Sequence, residues 1–164
     1  MKTFKGIKLF VSDFDGIFTD GKLTVYSDGK TSKTLDYKDI MAIAILLKKG
    51  IKFAIISGEK SAAIDKLKEN FPSIDVFQGE RNKINILKMI AEKYNINYKN
   101  ILYIGDDIND LECLNFVGNP ISVPNAQAII KNISNIYITE NSGGNGAIRE
   151  ITELIEWKNF SNKY

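Results

Sequence analysis

Short apolar runs alternate with segments of helical periodicity along almost the whole chain. The mostly apolar runs that predict strands occupy residues 8–12, 53–57, 74–77, 101–104, 121–123 and 136–138. The segments that predict helices occupy residues 39–49, 60–70, 82–94, 125–132 and 146–158. Strands that alternate with helices favour an α/β fold whose parallel sheet is covered on both faces. We find no linker, repeat or low-complexity segment, so we expect a single domain over residues 1–164.

One part of the chain breaks this alternation. Residues 23–26 and 33–35 flank Ser27-Asp28-Gly29-Lys30, and Asp-Gly between two such runs predicts a β-hairpin. Only about twenty residues separate residues 13–16 from the 39–49 helix, which is enough for a hairpin but not for a domain. We therefore expect a protruding hairpin at about residues 17–36.

Composition excludes several classes of function. With 44% apolar and 26% charged residues, the 164-residue chain is typical of a globular protein. The net charge of +2 and scattered lysines give no reason to expect a nucleic-acid or membrane partner. A single cysteine, no long apolar run and no signal-peptide pattern predict a cytoplasmic protein. The absence of histidine excludes Ser-His-Asp and Cys-His catalysis.

Two acidic clusters carry the candidate chemistry. Residues 13–16 read DFDG and residues 105–110 read GDDIND, and each cluster directly follows a predicted buried strand. Both would lie at the carboxyl ends of strands, where open α/β sheets bind ligands. Carboxylates that meet at one place repel each other unless a cation lies among them. The clusters therefore predict a divalent cation, and Mg²⁺ is the natural candidate.

The individual residues allow both catalytic and structural interpretations. Asp13 could attack phosphorus, while Asp15 could donate a proton and later activate water. The alternative for both is an ordinary turn after a strand. Likewise, Ser57-Gly58 could bind a phosphate or form a simple turn, and Lys83 could neutralise a phosphoryl group or be a surface lysine. The second acidic cluster could instead be a favourable helix N-terminus.

The order of these motifs decides between the interpretations. Strand–DxDG, strand–SG, a helix-borne lysine and strand–GDDxxD resemble the four motifs of the haloacid dehalogenase superfamily. The resemblance implies a Rossmann-like three-layer sandwich with a central parallel sheet. It also implies a nucleophile at Asp13, a general acid/base at Asp15 whose backbone carbonyl binds Mg²⁺, and a transition-state cation at Lys83. Mg²⁺ ligands would then be Asp13, Asp15 and Asp106.

The remaining site residues follow from the same resemblance. Ser57 and Gly58 would bind phosphate, while Asp107 and Asp110 would support the metal ligands from behind. Residues 13–21, Lys38-Asp39, 77–79 and 143–150 resemble one subfamily without a cap domain. It contains 3-deoxy-D-manno-octulosonate 8-phosphate (KDO 8-phosphate) phosphatases, nonulosonate 9-phosphate phosphatases and a phosphatase-like module of acylneuraminate cytidylyltransferases. It implies a phosphorylated sugar-acid substrate and a homotetramer, in which a neighbouring subunit covers the open site.

Departures from the subfamily pattern concern the substrate. Glu59 stands where octulosonate phosphatases usually have arginine, and Ile40 stands where they tend to have glycine. Glu59 resembles the nonulosonate branch, but Leu67 and Asn70 replace that branch's basic residues. Three candidate substrate-binding residues are Lys38, Glu59 and Arg149, of which Arg149 could equally be a surface residue.

Two other classes of function stay open. The first is a receiver domain, which also gathers aspartates, a hydroxyl residue and a lysine around Mg²⁺. Receivers place an acidic pair after the first strand, whereas in this chain DxDG comes first and the denser GDDxxD cluster comes late, so the order disfavours this class. The second is a non-catalytic assembly module related to the cytidylyltransferase-linked domain. Tyr103, Trp157 and Cys113 are predicted to be packing residues.

Overall fold

The structure is a computed structural model that describes residues 2–156, and its centre is a six-stranded sheet. The strands are β1 (Leu9–Ser12), β2 (Thr24–Val25), β3 (Thr31–Ser32), β4 (Lys52–Ser57), β5 (Asp75–Gln78), β6 (Ile101–Ile104), β7 (Asn119–Ser122) and β8 (Tyr137–Ile138). The sheet order is β5-β4-β1-β6-β7-β8, and every neighbouring pair is parallel. This confirms the predicted α/β fold with a central parallel sheet.

Helices flank this sheet. They are α1 (Tyr37–Lys48), α2 (Ala62–Asn70), α3 (Lys83–Lys93), α4 (Leu111–Phe116), α5 (Ala128–Lys131) and α6 (Ala147–Leu154). Helix α1 packs against α6, α3 packs against α4, and both α1 and α3 contact β4. Every residue of β1 and β6 is buried, which explains why their sequences are mostly apolar and do not alternate with polar residues. Short 3₁₀ turns occupy Tyr98–Asn100 and Ile108–Asp110.

The hairpin has the predicted place but a different return strand. Strands β2 and β3 pair antiparallel with Thr24 opposite Ser32, so the second strand lies at 31–32 and not at 33–35. The reason is a tight turn, in which the Tyr26 N–H donates to the Lys30 carbonyl oxygen at 2.8 Å and Gly29 takes a φ of +82°. Because the strand ends at Ser32, Lys33 is free to turn toward the sheet.

Helix boundaries also differ from the predictions. Helix α1 begins earlier because Asp36, not Asp39, caps it and accepts the Lys38 N–H at 2.8 Å. The 125–132 helix is reduced to Ala128–Lys131. The last helix ends at Leu154, since Ile155 bridges to Phe4 beside the sheet. The packing prediction for Trp157 lies outside the described residues.

No helix among residues 2–156 combines the length and the apolar character that a bilayer span requires.

Candidate active site

Three neighbouring strands bring the two acidic clusters together. Strands β4, β1 and β6 are adjacent and parallel, so Ser57, Asp13 and Asp106 emerge at one edge of the sheet. A pocket of about 400 Å³ opens there. It is lined by Asp13, Asp15, Gly16, Asp20, Gly21, Ser57, Gly58, Glu59, Asp106, Asp107, Asn109, Asn125 and Gln127. The predicted convergence of the acidic clusters is therefore present in the structure.

The floor of the pocket holds a buried ion-pair network. Lys83 Nζ lies 2.7 Å from Asp13 Oδ1 and 2.8 Å from Asp110 Oδ1, and the lysine side chain is 0% exposed. The Asp13 N–H donates to the Ile104 carbonyl oxygen at 2.9 Å, which fixes the start of the loop after β1. A lysine buried so completely between two carboxylates is not the surface residue that its sequence alone would favour.

The charges of this network depend on one another. Burial, followed by the charge of Asp110, raises the pKa of Asp13 well above its usual value, although Lys83 opposes the shift. Burial alone would lower the pKa of Lys83, but the two carboxylates raise it above its ordinary value. Lys83 therefore stays charged, and a further cation near Asp13 would favour the ionised form of this side chain.

Asp110 organises the network and uses all its acceptor positions. Its Oδ1 accepts the Tyr103 hydroxyl at 2.6 Å and Lys83 Nζ at 2.8 Å. Its Oδ2 accepts the backbone N–H groups of Asp106 at 3.1 Å and Asp107 at 3.2 Å. A carboxylate offers about four lone-pair sites, so none is left for a metal ion. Although carboxylate oxygens of Asp13, Asp106 and Asp110 lie within 4.8 Å of one another, Asp110 serves as a support.

Tyr103 therefore does more than fill space. It is fully buried, as predicted, but its hydroxyl holds the carboxylate that binds Lys83. Burial and the charge of Asp110 raise its pKa well above the usual value, so the hydroxyl remains a donor. The apolar run around Tyr103 gave no indication of this contact, because the partner lies seven residues further along the chain.

Asp106 carries the feature that fits a metal ion. Its Oδ1 is buried and has no hydrogen-bond partner among the described residues. Burial, then the charges of Asp110 and Asp107, raise the pKa of Asp106 to about 7. Gly16, with a φ of +83°, lies so close that a Cβ there would collide with this carboxylate. An unpaired carboxylate oxygen beside Asp13 offers the hard donor set that Mg²⁺ prefers.

Asp15 points its side chain toward the hairpin. Its Oδ1 accepts Lys33 Nζ at 2.6 Å, and the Lys33 side chain is only 16% exposed. The Asp15 carboxylate is thus absent from the cluster formed by Asp13, Asp106 and Asp110, which agrees with a ligand role for its backbone carbonyl only. Sequence reasoning missed Lys33, because its position depends on where the hairpin returns.

The turn after β4 forms the opposite wall of the pocket. Ser57 is buried, and its Oγ donates to the Glu59 carbonyl oxygen at 2.8 Å and accepts the Glu59 N–H at 3.2 Å. Gly58 and the exposed Glu59 line the pocket as predicted. Asn109, Asn125 and Gln127 also line it and were not predicted.

Two predicted substrate residues lie outside this pocket. The Lys38 side chain approaches Asp36 at 3.9 Å, and Arg149 Nε donates to Glu153 Oε1 at 2.7 Å within α6. Neither lines the pocket of its own chain. Their role toward a substrate, which would require a neighbouring subunit, stays a prediction. Asp107 lines the pocket and caps the 3₁₀ turn with Asp110.

Comparison with known proteins decides the family. A model of the haloacid dehalogenase-like hydrolase family matches residues 62–151. The chain belongs to the haloacid dehalogenase-like hydrolase family. The crystal structure of Moraxella catarrhalis 3-deoxy-D-manno-octulosonate 8-phosphate phosphatase, in complex with magnesium ion, phosphate ion and KDO, is 37% identical, with a TM-score of 0.85 over 91% of this chain and 85% of that one.

Further members of the family agree. The cobalt-bound Haemophilus influenzae deoxy-D-mannose-octulosonate 8-phosphate phosphatase is 27% identical, with a TM-score of 0.83 over 90% of this chain and 86% of that one. The 3-deoxy-D-manno-octulosonate 8-phosphate phosphatase of Salmonella typhi is 29% identical over 94% of this chain and 82% of the relative. These similarities confirm the predicted family and its fold.

Proposed function

We propose that this chain is a Mg²⁺-dependent phosphatase that hydrolyses the phosphate monoester of a 2-keto-3-deoxy sugar acid through an aspartyl-phosphate. One observation carries the proposal: the unpartnered Asp106 Oδ1 lies beside Asp13, whose other neighbour is the buried Lys83. A metal site, a nucleophile and a fixed cation thus meet in one pocket. Relatives named as KDO 8-phosphate phosphatases support this reaction.

The residues have distinct roles in this proposal. Asp13 attacks phosphorus, a new O–P bond forms as the bond to the sugar oxygen breaks, and Asp15 gives that oxygen a proton. Asp15 then takes a proton from the water that cleaves the aspartyl-phosphate. Lys83 offsets negative charge on the transferring group. A bound Mg²⁺, held by Asp13, Asp106 and the Asp15 carbonyl, would neutralise phosphate charge and orient the ester.

The turn at Ser57 and Gly58 supplies contacts to the phosphate group of the substrate. Ser57 Oγ and the backbone around Gly58 face the pocket opposite the acidic clusters, which suits a phosphate oxygen. Asp107 and Asp110 hold the loop after β6 through the bonds described above. A receiver domain is disfavoured by the family match, whereas a non-catalytic module would show itself by failing to hydrolyse any phosphomonoester.

The substrate named most often among the relatives is KDO 8-phosphate, and it is our first candidate. Glu59 favours a second candidate, a nonulosonate 9-phosphate. This residue lines the pocket at the position where octulosonate phosphatases usually have arginine, and it resembles the nonulosonate branch. Steady-state kinetics on both esters, with Mg²⁺ present, tests the proposal. We expect kcat/KM for at least one of them to exceed that for p-nitrophenyl phosphate by about 100-fold or more. Equal, low values would contradict a sugar-acid substrate.

We also propose that the protein is a cytoplasmic homotetramer. The hairpin exposes Leu23, Val25 and Tyr26, which are 52%, 65% and 53% exposed, and a two-stranded hairpin is marginal without further packing. No covering domain lies over the pocket among residues 2–156. A neighbouring hairpin could close it and bring Lys38 or Arg149 to the sugar acid. Light scattering on the purified protein tests the assembly, and a monomeric mass would contradict it.

Tyr103→Phe should lower kcat about tenfold at nearly constant KM, since one hydrogen bond to a charged acceptor contributes about 1.5–3 kcal/mol. The change removes a single oxygen atom, so the position of Asp110 and with it Lys83 becomes less defined. Steady-state kinetics measure the fall in kcat, and urea unfolding measures the free energy of unfolding that the lost hydrogen bond should lower.

A matched control is Tyr94→Phe. Tyr94 also donates to a carboxylate, Asp75 Oδ2, at 2.6 Å, but far from the pocket. It should lose stability and keep kcat. Equal kcat losses for both variants would contradict a role of the Tyr103 hydroxyl at the site.

Magnesium affinity should depend on pH. The pKa of Asp106 is raised to about 7 without metal, so the carboxyl is mostly protonated below that value. Mg²⁺ must then displace a proton, and we expect its Kd to rise about tenfold between about pH 8 and about pH 6. Calorimetric titration with Mg²⁺ alone, in two buffers of different ionisation enthalpy, would show proton release. A Kd independent of pH would contradict the assignment of Asp106 as a ligand.

A further inference from the structure

Asp39 is a buried carboxylate to which the chemistry above gives no role. Its side chain is fully buried, and no basic side chain among residues 2–156 lies within ion-pair distance of it. Its Oδ2 accepts the Gly146 N–H at 3.1 Å, and its Oδ1 accepts the Arg149 N–H at 2.9 Å. Asp39 therefore ties α1 to the first turn of α6.

This contact replaces a missing helix cap. Gly146 is the N-cap residue of α6, with a φ of +90°, and has no side chain to accept the first N–H groups. Asp39 supplies the carboxylate from another helix, and a negative charge there is favoured by the helix dipole. Burial raises the pKa of Asp39 to about 6, so the carboxyl is ionised at neutral pH.

The residues just before α6 contact the loop after β1, which carries Asp13 and Asp15. We call residues 142–146 the glycine loop. Gly143 packs directly against the Gly16 carbonyl, and the Gly144 N–H donates to the Ile17 carbonyl oxygen at 2.8 Å. The Gly143 N–H donates to Asn125 Oδ1 at 2.9 Å. A Cβ on Gly144 would lie 2.5 Å from the Asp20 nitrogen, so the glycine loop packs too closely against this backbone for a larger residue.

A continuous path of contacts thus joins Asp39 to the pocket. Asp39 holds Gly146, the glycine loop holds the backbone at Gly16 and Ile17, and Gly16 abuts the Asp106 carboxylate. Gly16 also directly follows Asp15. A shift of the glycine loop by a few tenths of an ångström would therefore move the Gly16 backbone, which lies between Asp15 in the chain and the Asp106 carboxylate in space.

We propose that Asp39 is a positioning residue: by capping α6 it presses the glycine loop against residues 16–17 and fixes the backbone beside Asp15 and Asp106. The catalytic part of this inference rests on the proposed phosphatase function. The metal-binding part does not require turnover, because it depends only on where Asp13, Asp106 and the Asp15 carbonyl oxygen lie.

Asp39→Asn tests the proposal. The amide keeps the shape of the side chain but turns an N–H₂ group toward one of the two backbone N–H groups, so one hydrogen bond is lost. We expect kcat to fall about tenfold or more while KM changes less than about threefold. We also expect the Kd of Mg²⁺, titrated calorimetrically without substrate, to rise about threefold or more. Unchanged kcat and Kd in a folded variant with a lower Tm would overturn the proposal and leave Asp39 a purely structural cap.

A control variant and a second variant keep the result decisive. Asp36→Asn alters the cap of α1, three residues away, without touching α6, and it should leave kcat and the Mg²⁺ Kd unchanged. Equal losses in both variants would overturn the proposal. If Asp39→Asn does not fold, Gly144→Ala provides a second test, because its new Cβ would collide with the Asp20 backbone and displace the glycine loop. This variant should show the same fall in kcat and the same rise in the Mg²⁺ Kd. If the wild-type protein hydrolyses no phosphomonoester, the proposed function fails, and the Mg²⁺ Kd values alone decide the role of Asp39.

Discussion

Asp13→Asn should abolish turnover, with a loss of about 10⁴-fold or more in kcat, because a neutral amide oxygen does not attack phosphorus to form the aspartyl-phosphate that water then cleaves. The variant should fold. Asparagine keeps the size of the side chain, and Lys83 keeps its 2.8 Å contact with Asp110. Burial and Asp110 already disfavour the ionised form of Asp13, so an uncharged side chain costs the fold little. Single-turnover kinetics and thermal unfolding measure the two quantities.

The control for this variant is Asp65→Asn. Asp65 is exposed on α2 and accepts the Gln78 side chain away from the pocket, so kcat should not change. Residual activity of Asp13→Asn within about 100-fold of the wild type would remove Asp13 from the nucleophile role.

Lys83→Ala should be the second most damaging change, with a loss in kcat of about 10³-fold. It also leaves Asp13 and Asp110 buried without their shared cation, which should lower the free energy of unfolding by about 3–5 kcal/mol. Mg²⁺ should restore part of this stability, because a metal ion beside Asp13 replaces the lost positive charge. Kinetics and urea unfolding with and without Mg²⁺ measure these effects.

Lys93→Ala is the matched control for Lys83. Lys93 pairs with Asp75 at the same 2.8 Å distance, but its side chain is 51% exposed. An exposed pair contributes about 1 kcal/mol or less, so stability and kcat should scarcely change. A loss in kcat of less than about tenfold for Lys83→Ala would show that Lys83 has a structural role only.

Much of the fold was predictable because its signals are local. The runs of β1 and β6 are buried at every position and almost entirely apolar, as expected for strands covered on both faces. The acidic clusters follow these strands directly, and parallel neighbours must place their ends together. The convergence of Asp13 and Asp106 therefore follows from strand order, whereas the place of Lys83 in the site was suggested only by resemblance, and its burial between two carboxylates was not predicted.

The remaining contacts depend on tertiary structure. Tyr103 meets Asp110, and Lys33 meets Asp15, across turns whose geometry the sequence pattern does not determine. Asp39 did leave a signal in the sequence. It shares the buried stripe of α1 with Ala42, Ile43 and Leu46, and a carboxylate on such a stripe needs a partner from another element.

A crystal structure with Mg²⁺ and vanadate would show whether Asp13 is the nucleophile beside a bound metal ion. We expect vanadium within bonding distance of an Asp13 carboxylate oxygen, Mg²⁺ contacting Asp13, Asp106 and the Asp15 carbonyl, and Lys83 Nζ against a vanadate oxygen. Vanadate or Mg²⁺ bound elsewhere, with Asp106 Oδ1 still unpartnered, would rule out this role of Asp13.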